Sequence, residues 1–295
     1  MPAPAFLKMI VPLLFVSTLA TAQSPIDEIE WEAGPTTAKL GNEAKVDVPE
    51  NCRFADKKGT RKFMELTENP VSGGELGVLL CSGANPDDNL WFVVFTYDAS
   101  GYVRDDEATT LDAEKILSSI REGTEAANRE RKRRGWGTLT IQGWVREPYY
   151  DQATHNLTWS LRAADETGDA GVNHSVRLLG RGGVMHADLV TDPTQMDAAV
   201  AAFDTIVEGY RFVEGKTYAE WRDGDKVAAY GLTALVAGGA GAIAMKTGLI
   251  GKLWKLIVTA FVAAWKVIAV AVAAIGAKLA SVFKKRSPGP AGRTT

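Results

Sequence analysis

Hydrophobic and polar positions alternate along much of the chain between Ile26 and Gly224, and this two-residue period predicts β-strands. Strands are predicted at 45–54, 75–82, 89–97, 138–147, 157–164, 172–179 and 184–190. Helices are predicted from Asp56 to Leu66 and from Asp112 to Arg133, each capped by its aspartate, and from Pro193 to Glu208. We therefore expect one α+β domain over residues 23–226, with a mostly antiparallel sheet and helices packed on it.

The first residues have the pattern of an export signal. Lys8 is followed by an apolar run from Met9 to Ala20, and the run ends in the small-x-small sequence Ala20-Thr21-Ala22. A run of this length is typical of a signal peptide and short for a membrane span. The sequence therefore predicts a signal peptide at residues 1–22, cleaved after Ala22; an uncleaved anchor is the alternative.

A second apolar segment follows the predicted domain. Residues 227–246 contain no charge before Lys246, which is long enough for a transmembrane helix. Ala234, Gly238 and Ala242 recur at four-residue spacing, a pattern that lets membrane helices approach each other. Self-association through these residues is one interpretation, and the general tolerance of membrane helices for glycine is the other.

The segment 247–286 is both hydrophobic and basic. Lys252, Lys255 and Lys266 fall on one face of a helix, opposite apolar residues. This pattern favours an amphipathic helix lying in the membrane surface, in contact with anionic lipid; a second transmembrane span stays open. Residues 287–295 form a polar tail that we expect to be disordered.

Charge is distributed very unevenly along the chain. The net charge is −3, yet from residue 227 to the end there are nine Lys or Arg and no acid. With +1 from the first eight residues, residues 9–226 carry −13. Nucleic acid is therefore not expected as a partner of the domain. Acidic residues before the predicted span and lysines after it predict an exported domain and a cytoplasmic C-terminus.

Two cysteines, Cys52 and Cys81, remain in the predicted exported domain. Export would place them in a compartment where disulfides persist. A bridge between them is one hypothesis, and two buried free thiols is the other.

Candidate chemistry is sparse. His155 and Asp151 lie close together in the sequence and are the candidates for a metal-dependent or hydrolytic site. Neither lies in a known metal-ligand spacing, and no phosphate-binding or dinucleotide-binding motif occurs, so no cofactor is expected. In a turn, Asp and His also have purely structural roles.

Aromatic residues cluster around the first predicted hairpin. They are Trp144, Tyr149, Tyr150 and Trp159. Exposed aromatic side chains dominate many binding surfaces, so these residues are the candidate recognition surface. The alternative is that Trp144 and Trp159 face the core and stabilise the sheet.

The sequence resembles a bacterial family of membrane-anchored proteins classed as domain of unknown function 2167. The resemblance rests on the runs 101–106, 122–128, 143–190 and 225–231, together with the glycine-rich span. It implies a bacterial envelope protein, and it implies no activity. Combined with the orientation predicted above, this places the protein in the bacterial inner membrane with a periplasmic domain. The order of elements is also similar to PsbP-like and Mog1-like α/β/α sandwiches.

Three functions are compatible with these features. The first is a non-enzymatic envelope protein whose periplasmic domain binds another protein or a small ligand. The second is an enzyme that uses His155 and Asp151. The third is a membrane-organising protein that acts through its C-terminal helices.

Overall fold

The computed structural model describes residues 25–83 and 90–238. The predicted signal peptide, the basic hydrophobic helix at 247–286, the tail at 287–295 and most of the predicted span lie outside these residues.

A large antiparallel sheet forms the centre of the domain, which confirms the predicted α+β class. Its strands run in the spatial order β1-β4-β5-β6-β10-β9-β8-β7. They are β1 (Glu32–Ala33), β4 (Cys52–Asp56), β5 (Glu75–Cys81), β6 (Trp91–Asp98), β7 (Thr140–Asp151), β8 (Asn156–Ala164), β9 (Ala170–Leu179) and β10 (Val184–Thr191).

A second, three-stranded sheet corrects one prediction. It contains β2 (Thr36–Leu40), β3 (Ala44–Val48) and β11 (Tyr210–Phe212), with β3 in the middle. The single strand predicted at 45–54 is therefore two strands, β3 and β4, which belong to different sheets. Pro49 lies at the break, where a residue without an N–H cannot continue the strand ladder.

Three helices agree closely with the predicted ones: α1 (Lys57–Leu66), α2 (Ala113–Arg133) and α3 (Met196–Glu208). The short α4 (Leu232–Val236) lies within the segment predicted as a transmembrane helix. Asp56 accepts hydrogen bonds from the N–H groups of Lys58 and Gly59, and Asp112 accepts one from Lys115. Both aspartates therefore cap their helices as predicted.

Three hydrophobic cores lie around the large sheet. The central core lies between one face of that sheet and the layer formed by α3 and the small sheet. It includes Leu79, Val93, Phe95, Leu189 and Phe203. On the opposite face, the hydrophobic core beside α1, here called the α1 core, packs against β5 and β6. The core beside α2, here called the α2 core, packs against β8 and β9. Between these two cores, polar residues of β9 and β10 occupy the centre of this face.

The first hairpin is longer than predicted. β7 continues through Pro148 as far as Asp151, so the turn contains only residues 152–155. Pro148 is tolerated because β7 is the edge strand of the sheet, and the pairing with β8 shifts register between Arg146 and Tyr149.

A disulfide joins Cys52 on β4 to Cys81 on β5. The two residues are direct partners in the antiparallel register. The structure thus contains the bridge and not the two free thiols.

Residues 215–238, here called the C-terminal segment, pack on the rest of the domain. Arg181 donates from Nε and Nη2 to both carboxylate oxygens of Asp225, at 2.6 and 2.9 Å. These hydrogen bonds hold the pKa of Asp225 at about 2. Val227 then forms a parallel bridge with Tyr102. The domain therefore continues beyond the boundary predicted at residue 226.

Helix α4 is part of the α2 core. It buries Leu232, Leu235 and Val236 there, and the N–H of Thr233 donates to Oε2 of Glu107 at 2.8 Å. An uncharged apolar run satisfies burial in protein as well as burial in lipid, which is why the sequence pattern alone placed the start of a membrane helix here.

Among residues 25–83 and 90–238, no helix is both long and apolar enough to cross a bilayer. The predicted small-residue seam is interrupted within this region. Ala234 lies against the α2 core, Gly238 follows the end of α4 with a φ of +118°, and Ala242 is outside the described residues.

Candidate binding site

The predicted aromatic surface is mostly internal. Trp159 is only 3% exposed and Tyr150 6%, whereas Tyr149 is 67% exposed. Trp144 is half-buried and donates from Nε1 to the carbonyl oxygen of Ala113, at 3.2 Å. The structure therefore supports the alternative in which the tryptophans stabilise the sheet, and it leaves Tyr149 as the exposed member of the set.

Asp151 is a turn residue and does not form the predicted pair with His155. Its Oδ1 accepts from the N–H of Ala153 and its Oδ2 from the hydroxyl of Thr154, both at 2.9 Å. These hydrogen bonds lower the pKa of Asp151. Both carboxylate oxygens are thus used within the β7–β8 turn.

His155 has a different acidic neighbour, Asp105. Tyr150 lies between them: its hydroxyl donates to Oδ2 of Asp105 at 2.9 Å and is 3.0 Å from Nδ1 of His155. Nδ1 itself is 3.9 Å from Oδ2 of Asp105. A hydroxyl has one proton, so Nδ1 of His155 must be the donor to Tyr150. In neutral His155 this leaves Nε2 as a hydrogen-bond acceptor.

An aromatic stack completes the cluster. The ring of His155 lies 4.3 Å from the ring of Tyr218, and Tyr218 stacks on Tyr102 at 4.4 Å. Trp221 lies 5.3 Å from Tyr102. The Tyr218 hydroxyl donates to the carbonyl oxygen of Val103 at 3.0 Å. The C-terminal segment therefore supplies one wall of the cluster.

The phenols of the cluster are held in their protonated form. Burial raises the pKa of Tyr150, and the hydrogen bond to Asp105 raises it further. Burial likewise raises the pKa of Tyr218, with a further contribution from Tyr102. Both groups therefore act as hydrogen-bond donors at neutral pH and are not nucleophiles.

Two clefts flank the cluster. One, of about 390 Å³, is lined by His155 and Tyr218 together with Tyr210, Phe212 and Ala219. The other, of about 630 Å³, is lined by Tyr149, Tyr150 and the loop at 108–111. Among the described residues, Nε2 of His155 makes no hydrogen bond, and His155 lines the first cleft.

The turn also places His155 in an unusual backbone conformation. Its φ is +56°, in the left-handed region, where histidine occurs more often than most residues. Its carbonyl oxygen accepts from the N–H of Leu179, at 3.2 Å. The ring is therefore fixed by the backbone as well as by Tyr150 and Tyr218.

The acidic residues near the cluster have partners within the domain. No group of three or more His, Cys, Asp or Glu side chains converges on a common point within the described ranges. Asp105 is bonded to Tyr150 and Glu107 to the N–H of Thr233, so these two acids fasten the loop before α2 to the rest of the domain.

Sequence reasoning found His155 and Tyr150 but missed Asp105, Tyr102 and Tyr218. Asp105 lies 45 residues before Tyr150, and Val103 lies 115 residues before Tyr218. No local spacing connects them, although all of them lie in or beside segments that carry the family resemblance.

These observations define a class: an antiparallel α+β domain with a His–Tyr–Asp cluster between two clefts. The chain belongs to the family described as Protein of unknown function (DUF2167), whose family model matches residues 32–276. No curated protein matches it.

Two solved structures are similar to it. Cyanobacterial PsbP (CyanoP) from Synechocystis sp. PCC 6803 is 14% identical with a TM-score of 0.35, covering 62% of this chain and 91% of that one. The Protein of Unknown Function PA94 from Pseudomonas aeruginosa, Putative Regulator, is 12% identical with a TM-score of 0.28, covering 59% and 93%.

Proposed function

We propose that this protein is anchored in the bacterial inner membrane and that its periplasmic domain binds another protein or a small ligand at the cleft beside His155 and Tyr218. The observation that carries the proposal is the His155–Tyr150–Asp105 chain, which orients the ring so that Nε2 is left for a ligand. Binding sites commonly combine an apolar cleft with a few fixed polar groups of this kind.

The anchoring part of the proposal rests on the sequence. The predicted signal peptide at residues 1–22, the uncharged run and the basic C-terminal region support it. The Cys52–Cys81 disulfide is consistent with an oxidising compartment. A PsbP-like or Mog1-like α/β/α sandwich is our proposed finer classification of the fold.

Photo-crosslinking in native membranes tests the binding proposal. A photoreactive amino acid at the exposed Ala219, which lines the cleft, should capture a specific neighbour. The same residue at the exposed Ala198 on α3 is the matched control and should not capture it. Adding His155→Ala to the Ala219 variant should remove the adduct.

Identical adducts at both positions, or an adduct that survives His155→Ala, would contradict a binding role for the cleft. No adduct at Ala219 in membranes from cells that express the protein normally would contradict a protein partner, and a small ligand would then be sought by its effect on the melting temperature.

A further inference from the structure

Four polar side chains occupy the centre of the large-sheet face that lies opposite α3. They are Ser175 and Arg177 on β9 and His186 and Asp188 on β10, here called the polar strip. In the antiparallel register His186 is the partner of Arg177, and Asp188 is the partner of Ser175. Direct partners project from the same face, so the four side chains form one patch.

Arg177 is nearly buried, with 8% of its surface exposed, and its charge is only partly satisfied. Nη1 donates to Oδ1 of Asp188 at 2.8 Å. The guanidinium lies 4.6 Å from the ring centroid of Trp159, which fixes its plane. Trp159 thus fixes the orientation of the Arg177 guanidinium.

The opposite edge of this guanidinium has no partner among the described residues. Nε is buried there without a hydrogen-bond partner, and Nη2 makes no hydrogen bond. Nε and Nη2 point in the same direction and form the fork that takes the two oxygens of a carboxylate. A charged donor pair whose Nε is buried and unpaired calls for an acceptor that the described residues do not supply.

His186 presents a second unpaired nitrogen beside the first. Its Nε2 is buried without a hydrogen-bond partner. Burial, with Arg177 adding to it, lowers the pKa of His186 to about 3, so the ring is neutral and one of its nitrogens carries a proton. Arg177 and His186 are therefore direct partners on neighbouring strands, and each has an unpaired nitrogen among the described residues.

We infer that Arg177 and His186 bind a carboxylate group, held by Nε and Nη2 of Arg177 and by Nε2 of His186. A phosphate dianion is disfavoured because Asp188 already lies beside Arg177. Oδ2 of Asp188 makes no hydrogen bond among the described residues, and its side chain is 28% exposed. It therefore accepts from an N–H or O–H next to the carboxylate of the ligand.

This chemistry describes an amino acid, a hydroxy acid or the C-terminus of a short peptide. The polar strip lies in the middle of the strands, whereas His155 lies in the β7–β8 turn, so the inference stands independently of the cleft proposed above. Tyr230 of the C-terminal segment lies at the border of the strip, where its hydroxyl donates to Asp98. Burial raises the pKa of Tyr230, and the nearby charge of Arg177 lowers it in part.

Titration of the full-length protein in detergent tests the inference. The probes are L-alanine, L-lactate and the dipeptide Ala-Ala. Ala-Ala amide, which lacks the carboxylate, is the matched control, and inorganic phosphate is the anion control. A saturable rise in melting temperature with at least one carboxylate, and none with the amide or phosphate, is expected. The carboxylate that raises the melting temperature shows whether the ligand is an amino acid, a hydroxy acid or a peptide C-terminus. Equal effects of acid and amide, or no effect of any carboxylate at millimolar concentration, would overturn the inference.

Three variants of the strip localise the binding, and a fourth variant outside it is the control. Arg177→Lys keeps the positive charge but loses the planar fork, so the dissociation constant should rise about tenfold or more. His186→Gln retains a side-chain N–H and should bind more tightly than His186→Leu. Arg181→Lys changes an arginine paired with Asp225 and should bind as the wild type does.

Calorimetric titration at a temperature where each variant is folded separates affinity from stability. Wild-type affinity in Arg177→Lys, or equal affinities in the two His186 variants, would exclude the polar strip as the site.

Discussion

At the scale of single residues, one hydroxyl group holds the candidate site together. The Tyr150 hydroxyl donates to Asp105 and accepts from His155, and it is nearly buried. Its loss leaves both partners without the bond that orients them, and an unsatisfied buried partner costs more than the bond itself contributed.

We predict that Tyr150→Phe lowers the free energy of unfolding by about 1–3 kcal/mol. Tyr149→Phe is the matched control, since that side chain is mostly exposed, and its effect should stay within about 0.5 kcal/mol. Urea unfolding followed by tryptophan fluorescence measures both. Equal effects of the two substitutions would show that the Tyr150 hydroxyl is not a structural link.

A second residue-scale prediction concerns His174. It is buried, its Nδ1 is 2.7 Å from the Ser160 hydroxyl, and burial lowers its pKa to about 4, with a smaller effect of Arg146. The unfolded chain then binds the proton more readily than the folded one. Stability is therefore fully present above pH 6.5 and falls as the pH drops from about 6.5 to about 4, by on the order of 1–3 kcal/mol.

His174→Gln should remove this part of the pH dependence, whatever its effect at neutral pH. Unfolding curves of wild type and variant at intervals between pH 7 and pH 4 provide the measurement. Parallel loss of stability in the two proteins over that window would assign the dependence to other groups.

Local chemistry was predictable at this scale and distant contacts were not. The helix caps Asp56 and Asp112 were predicted correctly because a cap involves only the next few residues. Asp151 was chosen as the partner of His155 for its nearness in the sequence, and the structure replaces it with Asp105. That contact depends on how the loop before α2 crosses the sheet, which no spacing records.

At the scale of elements, β4 and β5 are joined twice, by the strand ladder and by the Cys52–Cys81 disulfide. The disulfide closes a loop with a sequence separation of 29 residues. Closing such a loop stabilises mainly by restricting the unfolded chain.

The double variant Cys52→Ser/Cys81→Ser should therefore unfold with a free energy lower by about 2–4 kcal/mol. The wild type with and without reductant provides the matched comparison, and the reductant should have no effect on the variant. A thiol titration of the denatured wild type should find no free cysteine. Two free thiols in the native preparation would contradict the bridge.

Helix α4 is the element whose role differs most from the prediction. Leu232 is fully buried in the α2 core, so Leu232→Ala should cost about 2–5 kcal/mol. Val227→Ala removes a partly exposed side chain five positions earlier and should cost less than about 1 kcal/mol. If α4 instead belonged to a membrane helix, the two substitutions would have equally small effects on unfolding of the domain.

Strong periodic patterns explain which elements were predictable. The hairpin of β9 and β10 and the three longer helices follow their hydrophobic periods closely. The prediction failed where proline met an otherwise continuous pattern: Pro49 ends a strand that was expected to continue, and Pro148 lies inside β7, which was expected to have ended. Proline breaks an inner strand of a sheet but is tolerated in an edge strand. The sequence does not show which strand will lie at the edge of the sheet.

At the scale of the whole molecule, the proposal combines a compact domain with an anchor in the residues after 238. We predict that the full-length protein sediments with the membrane fraction and resists carbonate washing. A chain ended at Gly238 keeps α4 and the whole α2 core, so it should fold and be released in soluble form. Full-length protein in the soluble fraction, or a shortened chain that still sediments, would contradict an anchor in this region.

The position of α4 also has a consequence for the timing of folding. In a chain delivered N-terminus first, the strands and helix of the α1 core emerge early, but the α2 core lacks Leu232, Leu235 and Val236 until almost the entire domain has crossed. In the export proposed above, the α2 core is therefore completed only after α4 has crossed the membrane. We expect a transporter to move the chain before this core has formed, so that α4 is the last element of the domain to pack.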